Sequence, residues 1–318
     1  MKNRPKILVV GSLVMDLIVG TERFPERGET VIGHSFHTAP GGKGANQAVQ
    51  AAHLGADVSF VGMTGADDFG RQLRDSVAAA GIDISRVLTD PFVPTAIGNI
   101  QLETGGKQTQ NRICVVPGAN MRITPNDIVF LENEIRQYDM VILQLEIPLE
   151  INLLVARYAR SNNVPVMLNA APYAALPAEL LKNLTYISPN EHEASDMSGI
   201  RVTDLESAQA AAKKIHAMGV PNVLITLGHR GAARYDGKDF IFRPAVSGVQ
   251  AGEPTAAGDS FVGAFCTAVC SGLSAPDALV FANHTAALTV TRMGAMPSLP
   301  HLEEVQDFLK EKEPSWPK

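Results

Sequence analysis

The chain has few cysteines, few aromatics and no concentration of charge, and each shortage removes a class of function. Its 318 residues include three cysteines, one tryptophan and 6% aromatic residues in all. Cys114, Cys266 and Cys270 are odd in number and embedded in apolar sequence. They read as three buried thiols in a reducing, cytoplasmic compartment, not as a disulfide framework. Cys266 and Cys270 stand four apart, but no His or carboxylate cluster accompanies them as metal ligands. Lys and Arg form no run. The 27 basic and 33 acidic residues leave a formal charge of −6, the opposite of the basic patch that nucleic-acid binding requires. The opening MKNRPKILVVGS is basic and then apolar, yet Gly11, Ser12 and Asp16 interrupt it too soon for a signal peptide. No apolar run reaches 18 residues, so no membrane span is expected.

Apolar residues make up 45% of the chain, enough for a substantial core. The length suits one large α/β domain over 1–318, with no linker, repeat or low-complexity segment. Short β-branched runs at Ile7–Val10, 58–63, 140–145, 164–168, 184–188 and 223–227 read as buried strands. Helical patterns at 45–54, 125–137, 150–161, 204–218, 259–272, 276–292 and 301–311 lie between and after them. That alternation means βαβ units and a mostly parallel sheet covered on both faces. Residues 29–38 and 96–116 break the rhythm, the second with a turn signal at Thr104-Gly105-Gly106. They predict a small antiparallel sheet projecting from the main one, either a lid over a cleft or a plain hairpin.

Ligands of open parallel sheets bind beyond the carboxyl ends of the strands. Ser12 and Asp16, Glu146, Asn169, Asn190 with Glu191 and Glu193, and Gly228 with His229 all follow predicted strands. Singly, each reads as a helix cap or loop residue. Together they line one edge of the sheet with acids and amides, which suits a polyol and a metal–nucleotide. PGGKGANQ (40–47) runs straight into a helix. It is neither a Walker loop nor a dinucleotide fingerprint, and reads as a ligand-approaching loop or as a tight turn. In TAAGDSF (255–261), the N–H groups of Ala256, Ala257 and Gly258 form a candidate anion hole at a helix N-terminus, with Asp259 beside it. Asp259 is either the base for an attacking hydroxyl or a helix cap.

GGKGANQA (41–48) followed by AAGDSFVGA (256–264) resembles the ribokinases of the PfkB carbohydrate kinase family. FPERGET (24–30), PGAN (117–120), QLE (144–146), PNEHE (189–193), ITLGHRG (225–231) and VTRMGAMPS (290–298) extend the resemblance over nearly the whole chain. It implies a ribokinase-like three-layer α/β sandwich with a mostly parallel central sheet and a small antiparallel β lid drawn from about 14–40 and 96–116. It implies ATP-dependent phosphorylation of a small sugar, D-ribose first. A 2-deoxyribose, nucleoside or other furanose kinase is the alternative within the family, and a non-catalytic sugar sensor the alternative outside it. By the resemblance, Asp259 is the catalytic base and Ala256, Ala257 and Gly258 are the anion hole. Asp16, Gly42, Lys43, Asn46 and Glu146 contact the sugar. Asn190 and Glu193 place Mg²⁺ and phosphate, Glu193 through water. Thr226, Gly228 and Asn283 contact the nucleotide.

The resemblance also implies a monovalent cation site, usually K⁺, involving Glu253, Thr255, Thr289, Gly294 and Ser298, and a homodimer formed through the lid sheets. Here Glu253-Pro254 departs from the family's usual Asp-Thr, which puts the cation site in question. Val14 stands where an Asn is common and removes a polar contact near the sugar. Asn169-Ala170-Ala171-Pro172 varies the family's Asn-Pro-Ala-Pro and reads as a loop detail.

Overall fold

A computed structural model describes residues 4–106, 110–249, 252, 255–313 and 316. The chain opens with β1 (Lys6–Val10), β2 (Val14–Thr21), β3 (Ser35–Gly41), α1 (Lys43–His53), β4 (Asp57–Gly65), α2 (Asp68–Ala79) and β5 (Asp83–Asp90). It continues with β6 (Ala96–Glu103), β7 (Gln110–Val116), α3 (Pro125–Ile128), α4 (Leu131–Glu134), β8 (Met140–Leu143), α5 (Leu149–Ser161), β9 (Val166–Asn169), α6 (Ala178–Asn183), β10 (Tyr186–Ser188) and α7 (Glu191–Ser198). It closes with α8 (Leu205–Ala217), β11 (Asn222–Thr226), β12 (Gly231–Tyr235), β13 (Phe240–Pro244), α9 (Ala257–Cys270), α10 (Ala275–Thr289) and α11 (Leu302–Lys312).

The main sheet runs β13-β12-β11-β10-β9-β8-β1-β4-β5. It is parallel from β11 to β5; only β12 and β13 run antiparallel. Alternation along β1 shows why its strands read as unbroken apolar runs. Ile7 and Val9 enter a core shared with α1, α9, α10 and α11, while Leu8 and Val10 enter a second core under α5 and α8. All four are fully buried. A strand covered on both faces needs no polar side chain.

The second sheet runs β3-β2-β6-β7. Two of its pairings are antiparallel, as expected, but the central one, β2 with β6, is parallel. The cause is topological. β2 follows β1 and β6 follows β5, so both leave the main sheet in the same direction, separated by a long excursion instead of a hairpin. β3 begins at Ser35, not at Glu29.

Three further expectations need correction. The stretch 125–137 is not one helix but α3, α4 and a 3₁₀ turn at Ile135–Gln137. Buried Ile128, Leu131 and Ile135 keep helical spacing through the breaks, so periodicity alone merged them. Cys114 is exposed, because β7 is an edge strand that no layer covers; Cys266 is buried and Cys270 partly so. Helices α2, α6 and α7 and strands β5, β12 and β13 were not foreseen. Among the described residues, no helix is long and apolar enough to cross a membrane.

Candidate active site

The polar strand ends converge where the lid leaves the main sheet. The loop after β1 passes under the start of α1 so closely that Gly44 has no room for a side chain. A Cβ there would stand 2.5 Å from the Ser12 N and 2.8 Å from the Gly11 carbonyl carbon. The glycines of PGGKGANQ therefore serve a close approach to the protein's own backbone. The packing brings Ser12 into the site: its Oγ donates to Glu146 Oε2 at 2.5 Å and accepts from the Gly44 N–H at 3.2 Å. The Lys43 N–H donates to the same Glu146 oxygen at 3.0 Å. Glu146 is thereby oriented by two donors on one oxygen.

Asp259 lies in the first turn of α9 and is buried. It does not cap the helix. The N-cap is Ala256, with φ 61 and ψ 4, a left-handed conformation rare outside glycine. That turn sends the chain into α9 and leaves the first N–H groups of the helix, those of Ala257 and Gly258 among them, without intrahelical acceptors. A Cβ on Gly258 would meet nothing within 4 Å, so the space beside it is open. Both oxygens of Asp259 accept from amides on α1. Asn46 Nδ2 donates to Oδ2 at 2.9 Å, and Gln47 Nε2 donates to Oδ1 at 3.0 Å. An amide donor on each oxygen fixes the plane of the carboxylate.

Lys43 shows that the acidic groups converge. Burial pushes its ammonium toward the neutral form, but the carboxylates of Asp259, Glu146 and Glu193 outweigh that and hold its pKa above the usual lysine value. Glu193 moves the other way. Burial raises its pKa above the usual carboxylate value, against the Asn190 N–H and Lys43, and Asp259 adds to the rise. Asp16 belongs to the lid. Glycines at its neighbours make room for it: a Cβ on Gly98 would stand 2.4 Å from Asp16 Oδ1, and one on Gly41 2.9 Å from Oδ2.

Beyond β10, Asn190 caps α7. Its Oδ1 accepts from the N–H groups of His192 and Glu193, and Glu193 Oε2 accepts from the Asn190 N–H at 2.8 Å. Asn190 also bridges to Thr226 at the end of β11, and Gly228 opens the turn Gly228–Arg230 just beyond. His229 is exposed in that turn. Asn283 sits further off, on α10, where its Nδ2 faces the carbonyls of Arg243 and Pro244 on β13 at 3.2 and 3.3 Å.

The donor set bears on which metals the site suits. No cluster of three or more His, Cys, Asp or Glu suited to a metal ion exists among the described residues. The buried Glu193 carboxylate, with one oxygen tied to Asn190, fits an ion that arrives already held by phosphates. For a monovalent cation, Glu253 and Pro254 lie outside the described residues. Gly252 donates its N–H to the Val290 carbonyl at 2.8 Å, which brings Gly252 itself against the end of α10. The Thr289 hydroxyl bonds Ser260 and the Thr285 carbonyl, and that of Ser298 bonds the Ala295 carbonyl.

Three residues were undervalued in the sequence. Asn169, read as one of several strand-end residues, ends β9, accepts from Gln47 Nε2 at 3.1 Å and donates to the Ser188 carbonyl at 2.9 Å. Gln47 lies inside the GGKGANQA motif, where nothing in the sequence sets it apart. Asn120 of PGAN holds the backbone of Leu13. Each is a buried amide, and its burial was the signal that sequence alone conceals.

Comparison with known proteins agrees with this geometry. A family model described as pfkB family carbohydrate kinase matches residues 4–302. The chain is 38% identical over 308 residues to the ribokinase of Haemophilus influenzae, covering 96% of this chain and 99% of that one. It is 38% identical over 303 residues to the ribokinase of Bacillus subtilis, covering 95% and 99%. A solved structure of Arabidopsis thaliana ribokinase complexed with ribose and ATP superposes with a TM-score of 0.89 at 35% identity, over 97% of this chain and 99% of that one.

Proposed function

The chain belongs to the pfkB family of carbohydrate kinases, and from that premise we propose that it transfers the γ-phosphate of ATP to the primary hydroxyl of D-ribose, giving D-ribose 5-phosphate. One observation carries the reading. A buried carboxylate, Asp259, with both oxygens gripped by amides, stands at the start of a helix where the space beside Gly258 is open. Relatives named ribokinase, and a structural relative holding ribose and ATP, direct it to ribose.

In this reading Asp259 takes the proton of the sugar's primary hydroxyl as its oxygen attacks the γ-phosphorus. The bond to the bridging oxygen breaks and ADP leaves. The N–H groups at Ala256, Ala257 and Gly258, with the positive end of α9, stabilise the charge on the transferring phosphoryl oxygens. Asp16 and Glu146 accept hydrogen bonds from sugar hydroxyls, and Gly42, Lys43 and Asn46 complete the sugar site. Lys43, kept charged by three carboxylates, offsets negative charge where sugar and phosphate meet. Asn190, Thr226, Gly228 and Asn283 border the nucleotide. Glu193 is the residue that would hold Mg²⁺ through water, and the ion would supply positive charge to offset that of the phosphates.

The same reading includes activation by K⁺ or another monovalent cation beside Thr255, Thr289, Gly294 and Ser298, with Glu253. It places the enzyme in the cytoplasm as one domain whose lid excludes water during transfer. It also includes a homodimer. Strand register puts Ile18, Ile100, Ile113 and Val115 on the same face of the lid as Asp16. Ile113 and Val115 are exposed there, an apolar surface that a second lid would cover.

The test is a coupled ADP-release assay with MgATP against ribose, 2-deoxyribose, fructose, ribulose and nucleosides, each with K⁺ or Na⁺. The expected result is turnover on ribose that rises with K⁺. Turnover on another sugar alone keeps the chemistry and moves the substrate. No turnover on any of them overturns the reading.

A further inference from the structure

We infer that Gln47 is a positioning residue for phosphoryl transfer, the link through which the central sheet orients the carboxylate of Asp259. The inference rests on the proposed role of Asp259 as the base.

The argument begins at a group whose polarity cannot be reversed. The Ser188 carbonyl, at the end of β10, only accepts, so the nitrogen of Asn169 must face it, at 2.9 Å. That turns Asn169 Oδ1 toward α1, where it accepts from Gln47 Nε2 at 3.1 Å. The second hydrogen of the same Nε2 goes to Asp259 Oδ1 at 3.0 Å. Gln47 Oε1 is engaged in turn by Gln144 Nε2 at 2.8 Å, and the Gln144 backbone carbonyl is held by Asn152 Nδ2 at 2.8 Å. Rotating the Gln47 amide by half a turn would set an oxygen against Asn169 Oδ1 and a carboxylate, and a nitrogen against a nitrogen. The orientation is therefore single-valued, and it is transmitted from β10 through β9 and α1 to α9.

Gln47 and Asn46 divide the work. Both donate to Asp259, but Asn46 Oδ1 is buried and has no partner among the described residues. It is left for a ligand, as its proposed sugar contact requires. Gln47 is fully buried and has its oxygen and both amide hydrogens committed within the protein. It holds the base without touching either substrate. A carboxylate free to turn about its Cβ–Cγ bond would spend much of its time with neither oxygen aimed at the hydroxyl, and a misplacement of about 1 Å costs on the order of 100-fold in rate.

The experiment compares Gln47→Met, which keeps the volume and removes the donors, with the wild-type full chain. Expected is a fall in kcat of about 10- to 100-fold per folded molecule, with KM for ribose and for MgATP within about threefold of wild type. A merely structural role would lower the melting temperature and leave kcat per folded molecule unchanged, and that outcome overturns the inference. Should Gln47→Met fail to fold, Asn169→Ala interrupts the relay one residue earlier. A loss of kcat with unchanged KM supports the inference, and full kcat overturns it. A crystal structure of the folded variant gives a reading that needs no activity. A rotated Asp259 carboxylate supports the inference, and an unmoved one overturns it. If the wild type itself does not phosphorylate ribose, the substrate assignment falls, while the crystallographic comparison still decides whether Gln47 sets the carboxylate.

Discussion

Asn120 grips Leu13 by both of its backbone polar groups. Asn120 Nδ2 donates to the Leu13 carbonyl at 2.9 Å, and Asn120 Oδ1 accepts from the Leu13 N–H at 3.1 Å. Leu13 is where the chain leaves β1 of the main sheet for β2 of the lid. One buried side chain thus replaces the strand partner that this backbone segment lacks. Asn120→Ala strands two buried groups, at about 1–3 kcal/mol each. We expect a matching loss of stability in denaturant unfolding. KM for ribose is expected to rise, because Asp16 hangs from the same joint.

For Asp259→Asn, the amide has no basic carboxylate oxygen and sets its NH₂ group against one of the two donors, from Asn46 or from Gln47. Turnover is expected to fall roughly 10²–10⁴-fold or more. Ribose affinity, measured calorimetrically, should change little, since the other sugar contacts remain. Wild-type turnover would remove Asp259 from the base role.

His53 carries the pH prediction. It sits at the end of α1, stacked on His301 at 3.8 Å, with Nδ1 donating to the Leu299 carbonyl at 3.1 Å. Burial, then the neighbouring His301, hold its pKa below the usual histidine value, against the Leu299 bond and Glu304. The folded protein therefore favours the neutral ring more than the unfolded chain does. Stability from this site is full above the ordinary histidine value of about 6.5 and is lost as pH falls below it. The melting temperature of the wild type is expected to drop between about pH 7.5 and pH 5.5. His53→Asn keeps a donor for Leu299 and should flatten part of that drop. His284, lowered by burial, accounts for a further part.

Ile113→Arg tests the proposed dimer. Ile113 is 57% exposed on the Asp16 face of the lid, so the substitution costs the isolated chain little. Light scattering should find the wild type dimeric and the variant monomeric, with a raised KM for ribose. A wild type that is monomeric at all concentrations overturns the dimer.

Much of this molecule was readable from residue order because the signals are local. A strand buried on both faces must be apolar throughout, so β1, β4, β8 and β11 announced themselves. Helix periodicity did the same for α5, α8 and α10. The site's acids and amides stood at strand ends, and two glycine-bearing motifs tied them to a family of sugar kinases. What stayed hidden depends on juxtaposition. Whether Asp259 caps its helix or faces a cleft turned on Ala256 taking a left-handed turn and on two amides 212 and 213 residues away reaching its oxygens. Whether the middle of the lid is parallel turned on where β2 and β6 leave the main sheet. That Asn169 belongs to a relay turned on Gln47 facing it. Periodicity and motif depend on neighbours along the chain. The direction of a buried hydrogen bond depends on which groups packing leaves face to face, and no stretch of sequence contains both partners.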